Sequence, residues 1–139
     1  MAQNQVYADI ESLREVWTLA AETEAGTPVI QGTRPGVTYT GTPGLTRSIT
    51  VGGITVSGIQ VSNTSAGTKR ATIATTGTWE FPVVGATGAT AQGTKVYYDA
   101  TAKGLTLTAT SNTFYGVVNL PEGYVQHDTT LPVKIGVVA

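Results

Sequence analysis

After residue 26 the chain is a succession of short runs in which apolar and polar residues alternate, separated by turn residues. The period of two belongs to strands with one wet face. The clearest stretch is Ala91 to Val118. Lys95-Val96-Tyr97-Tyr98 is β-branched and aromatic, as a half-buried strand requires. Asp99 to Gly104 follows as a turn, in which Asp99 can bond amides two residues on and Gly104 can take positive φ. Leu105-Thr106-Leu107-Thr108 and Phe114-Tyr115-Gly116-Val117-Val118 supply two more strands, so this stretch predicts a β-meander.

The same reading extends in both directions. Pro28-Val29-Ile30-Gln31 and Val37-Thr38-Tyr39-Thr40 are strands around a turn at Gly32-Thr33-Arg34-Pro35-Gly36, and Gly41-Thr42-Pro43-Gly44 is a second turn. Ile49 to Asn63 repeats Ile-Thr-Val-Gly-Gly, Ile-Thr-Val-Ser-Gly and Ile-Gln-Val-Ser-Asn. An odd period of five would send successive isoleucines to opposite faces of one strand, so Gly52, Gly53 and Gly58 must be turns or bulges. The result is a hairpin with exposed Ile and Val, an edge of the kind that invites another chain. Lys69 to Thr75 and Thr78-Trp79-Glu80-Phe81 are further strands, the second bounded by Pro82. Asn119 to Thr130 is a polar loop before a last strand, Leu131 to Val138.

Residues 1–26 differ. Val6, Ile10, Leu13, Trp17 and Ala20 recur at helical spacings of four and three, and Gly26 could cap a helix. The competing reading is an extended arm that becomes a strand at Val16-Trp17-Thr18-Leu19. Five acids fall here, Asp9, Glu11, Glu15, Glu22 and Glu24, against the single base Arg14. On either reading the segment is apolar enough on one side to need a partner surface.

Composition narrows the function. The 139 residues suit one domain with its own core. No cysteine is present, which removes disulfides and thiolate metal sites. A formal net charge of −1 with only 12% charged residues argues against a nucleic-acid partner held through phosphates. No apolar run is long enough to span a membrane, and Met-Ala-Gln-Asn-Gln is not the start of a secretory signal. Seventeen glycines and 26 threonines favour strands and tight turns. His127 is the single histidine, so one chain cannot build a histidine-based metal cluster. It is expected as a solvated loop residue, and Asp99 and Asp128 as turn caps rather than paired catalytic acids. No phosphate-cradling motif follows the glycine-rich stretches. No catalytic, cofactor-binding or metal-binding residue is therefore expected, and an enzyme is not. Tyr97 and Tyr98 must face opposite sides of their strand, one toward the core and the other toward solvent or a neighbour. Tyr7 and Trp17 have no obvious core to join and are expected to meet a partner.

The order of these segments resembles a known family. Gly93-Thr94-Lys95-Val96-Tyr97, Asp99, Gly104-Leu105-Thr106 and Gly116-Val117-Val118 are similar to the C-terminal half of phage capsid cement, or head decoration, proteins. Ala25-Gly26-Thr27-Pro28-Val29 with Pro35-Gly36-Val37 resembles the family's earlier signature. Trp79-Glu80-Phe81-Pro82-Val83 approximates its Phe-x-Leu/Val-Pro element, and Leu131-Pro132-Val133-Lys134-Ile135-Gly136 its closing strand. The likeness lapses over residues 43–66. It implies an all-β, single-domain sandwich or barrel of the β-tulip type, with residues 1–20 as an extended or partly helical arm. Residues 21–139 would be the β-domain, with 43–66 an inserted hairpin.

The resemblance further implies a homotrimer on the outer surface of a virion, made in the host cytoplasm, that binds the major capsid protein and stabilises its lattice. No cofactor, nucleic acid or membrane enters. Val6, Tyr7, Ile10, Leu13 and Trp17 are the candidate capsid contacts. The alternative is a glycan-binding module, or a tail or baseplate domain on the virion surface, whose exposed aromatics would stack on sugar rings.

Overall fold

A computed structural model describes residues 14–42, 46–60 and 69–135. Their regular structure is entirely strand: β1 (Arg14–Thr18), β2 (Pro28–Gln31), β3 (Arg34–Thr38), β4 (Thr46–Val51), β5 (Ile54–Gln60), β6 (Arg70–Ala74), β7 (Gly77–Val84), β8 (Lys95–Asp99), β9 (Gly104–Thr106), β10 (Thr113–Val118) and β11 (Thr130–Ile135). The chain groups into two compact units, residues 1–27 with 37–74 and residues 28–36 with 75–139.

In the first unit, β1 runs antiparallel to β6, with Trp17 opposite Ala71 and Glu15 opposite Ile73. The other edge of β6 takes Val37 and Thr38, opposite Ala74 and Ile73. Trp17, Val37, Ala71, Ile73 and Ala74 are buried. Two buried threonines fasten the loop from residue 19 to 27. Thr38 Oγ1 donates to Glu24 O at 2.6 Å and accepts from Thr27 N–H at 2.9 Å, while Thr42 Oγ1 accepts from Thr23 N–H at 2.9 Å. Gly26, at φ 80°, lets the chain reverse so that its N–H reaches Thr38 O. It serves a turn, not a helix cap, and residues 14–18 are strand, as the arm reading expects.

β4 and β5 form a ribbon of their own, joined at Gly52-Gly53 with both residues at positive φ, 58° and 79°. Two successive left-handed residues match the right-handed twist of the flanking strands. From Arg47 to Ile49 on β4, the partner strand advances from Ile59 to Val56. β5 thus carries the extra residue, at Ser57-Gly58, where the repeat predicts an irregularity.

The second unit contains a closed five-stranded barrel, in the order β10-β11-β7-β9-β8. Four contacts are antiparallel, and the parallel pair β7–β9 joins the ring. Phe81, Val83, Val96, Leu105, Tyr115, Val118, Leu131, Val133 and Ile135 fill its core. The expected meander is corrected here: β8, not β9, lies beside β10. β9 uses its second edge for β7, so the chain must pass over β8 to start β10.

Other local expectations also shift. The turn after Asp99 forms, with Asp99 Oδ1 accepting from Thr101 and Ala102 N–H at 2.8 and 3.1 Å, but Lys103 rather than Gly104 takes positive φ. The turn after β2 is only Gly32-Thr33, and Pro35-Gly36 belongs to β3. Pro82 lies within β7 instead of ending it. Val83 N–H donates to Thr129 O on the β11 side, so the ring nitrogen of Pro82 turns to the other edge, before β9 begins pairing at Val83. Asp128 does not cap its own turn; its Oδ1 accepts Gly88 N–H from another loop at 3.0 Å. Residues 136–138 of the expected last strand lie outside the described residues.

Tyr115 sits at the centre of the barrel because of a bulge. Phe114 pairs with Tyr97 and Gly116 with Val96, so Tyr115 is the unpaired extra residue and turns inward. Phe81 meets its ring edge-on at 5.9 Å and Tyr98 stacks on it at 6.5 Å. Tyr97, on the outer side, packs edge-on against Phe114 at 6.1 Å. The two adjacent tyrosines thus face opposite sides of β8, as expected, and both are half-buried.

Candidate functional site

Of the candidate contact residues, Val6, Tyr7, Ile10 and Leu13 lie outside the described residues, and Trp17 is on β1. Trp17 is 3% exposed, and its Nε1 donates to Glu15 Oε2 at 2.8 Å. The expectation that it lacks a core is corrected: pairing with β6 sets the ring on the strand's inner side, opposite the small Ala71. The residue that faces out is its neighbour Val16, at 56% exposure.

β1 is the first described strand, and its outer edge is the one turned away from β6. Just past β1, Leu19 N–H donates to Lys69 O at 2.7 Å. Alternation along an antiparallel strand then aims the backbone groups of Trp17 and Glu15 at β6, and those of Val16 and Thr18 away from it. Among the described strands none pairs on that side. The Arg14 guanidinium lies 3.6 Å from the centre of the Tyr39 ring, a cation–π contact at the start of the edge. Tyr39 N–H donates to Thr72 O at 2.8 Å, which holds the ring's backbone in place. The sequence reading set Tyr39 in a strand but named no contact for it; the period of two after the buried Val37 is the signal that could have pointed to one.

A groove of about 440 Å³ opens beside the barrel, lined by Pro82 to Ala86 with Ala102, Gly104, Leu105, Asp128 and Thr129. Its one ionisable group is Asp128, already engaged with Gly88 N–H. No nucleophile and base pair lines it, as base catalysis would need. Among the described residues no cluster of three potential metal ligands occurs. His127 is exposed and stands edge-on to Tyr124 at 6.4 Å. The Tyr124 hydroxyl donates to Glu80 Oε1 at 3.0 Å, and Thr130 Oγ1 donates to the same oxygen. Desolvation and then the Glu80 hydrogen bond raise the Tyr124 phenol above its ordinary range. Gln126 Nε2 donates to Thr90 O at 2.7 Å, so polar contacts fasten this loop.

The described residues thus combine a closed barrel, a strand edge that no other described strand pairs, and exposed apolar residues on the ribbon. The chain belongs to the phage cement protein family, whose model matches residues 9–123. No curated protein and no solved structure matches the chain. Membership makes it a structural phage protein of the virion capsid. The matched stretch runs from the N-terminal segment through the β4–β5 ribbon, and ends before β11.

Proposed function

We propose that this protein binds the outside of a phage head as a homotrimer and stabilises the lattice of the major capsid protein, acting by contact and without catalysis. The observation that carries the reading is the outward edge of β1 in a chain of the cement family. Val6, Tyr7, Ile10 and Leu13 precede β1 in the sequence, and an extended partner segment can add to that edge through main-chain hydrogen bonds. In this reading Trp17 anchors the root of the contact segment from the inner side, while Val16 and Thr18 face the capsid. Threefold repetition would multiply modest contacts through effective concentration.

The test is co-sedimentation of the purified chain with expanded, undecorated heads of its phage, with unexpanded proheads as control. Saturable binding to expanded heads, at a copy number divisible by three, is the expected result. Failure to bind either particle overturns the reading and favours a glycan or tail role.

A further inference from the structure

The β4–β5 ribbon forms its own two-stranded sheet, separate in hydrogen bonding from the other strands. Val51, Ile54 and Val56 are 72%, 71% and 53% exposed. A lone two-stranded ribbon is marginal in water, and gains stability when an apolar face is covered. Alternation places Val51 and Ile54, directly opposed in the register, on one face together with Val56. The other face carries Thr50 and Thr55, also opposed, whose hydroxyls lie 2.9 Å apart. The apolar face thus exposes on the order of 300 Å², the size of a functional patch on a monomer.

Two properties select the occupant. From Ser48 to Thr68 no residue is charged, between Arg47 and Lys69. Native edges are normally guarded against like edges by lysine, proline or inward charge; the ribbon's one charge is Arg47, near the open end of β4, and the turn end that carries Val51, Ile54 and Val56 has none. A second copy meets no like-charge repulsion at that end, whereas a charged partner would find no complement there. The ribbon is also symmetric in itself. Ile-Thr-Val occupies both 49–51 and 54–56, and the register sets Thr50 opposite Thr55, Val51 opposite Ile54 and Ile49 opposite Val56. A local two-fold axis through the Thr50–Thr55 pair therefore carries one triplet's backbone onto the other. Such a ribbon presents the same pattern in two orientations, which suits an isologous contact between identical patches.

We propose that the apolar face of the β4–β5 ribbon docks on the same face of a second copy of this chain. At ~300 Å² per copy the contact is well below the ~800 Å² per partner of a standard interface, so it is weak between free chains and strengthens where copies are crowded. The proposal does not depend on capsid attachment.

The test uses the full chain, sedimented over a concentration series reaching the millimolar range, beside the double variant Val51→Lys/Ile54→Lys. Wild type is expected to reach twice the mass of the variant at the top of the series, and the variant to weaken association at least tenfold with an unchanged circular dichroism spectrum. Because the chain has no cysteine, Ile54→Cys treated with a short bismaleimide should give covalent dimers, and Val125→Cys, exposed on the barrel unit, should not. Equal masses for wild type and double variant, or equal cross-linking of the two single-cysteine chains, would overturn it.

Discussion

Tyr115 shows how much one side chain can organise. The bulge aims its ring into the barrel, and its hydroxyl donates to Gly36 O at 2.6 Å, joining strands 79 residues apart in sequence. Tyr115→Phe keeps the ring contacts with Phe81 and Tyr98 and removes only that donor, so urea denaturation should show a loss of about 1–2 kcal/mol. Burial, and then the neighbouring Tyr98, pushes the Tyr115 phenol far above its ordinary range. The folded state therefore holds this proton more tightly than the unfolded chain. Stability from this group is complete below about pH 10, the unfolded value, and declines above it by up to about 1.4 kcal/mol per pH unit. Alkaline unfolding curves should show that decline in the wild type, and a shallower one in Tyr115→Phe. The next residue is constrained by space. A Cβ at Gly116 would run into the Lys134 carbonyl and press Val133 Cγ1, so Gly116→Ala must push β10 from β11. A cost of about 1–3 kcal/mol, read from the thermal midpoint, is expected for such overpacking.

Among the elements, β1 is where sequence and structure differ most usefully. Apolar residues four and three apart gave residues 1–20 a helical signature, while Val16-Trp17-Thr18-Leu19 gave them a strand. Five residues paired to β6 settle residues 14–18 as strand, because the inner side offered Trp17 a place beside Ala71. No local pattern could disclose that place, since β6 lies more than fifty residues away. Trp17→Ala should therefore cost about 3–5 kcal/mol of stability as a buried aromatic truncation, measurable by calorimetry. Deletion of residues 2–13, which stops short of β1, should leave the thermal transition in place and weaken binding to expanded heads. Loss of folding in that variant would assign those residues to the core instead. The ribbon was legible in more detail: the period of five located both the Gly52-Gly53 turn and the irregularity at Ser57-Gly58. Strands were generally read to within a few residues, because turn chemistry at Gly32, Gly52-Gly53 and Asp99 is local. Pairing order was not legible, since β9 chooses between β7 and β10 through contacts that its own Gly-Leu-Thr does not encode.

For the molecule as a whole, ring closure matters beyond packing. The expected meander put β9 between β8 and β10; the ring instead closes through the parallel β7–β9 contact, and the barrel has no terminal strand. Unzipping of a sheet starts from an end strand, and a cylinder offers no such starting place. Amide protons of β7, β8, β10 and β11 should accordingly exchange with deuterium at similar, slow rates, through openings that approach global unfolding. Those of β1 should be released much earlier, strand by strand. A pull on any barrel strand is then shared round the circumference, so the barrel yields as one piece; in the proposed attachment, the edge of β1 is the part that would take up and release its neighbour.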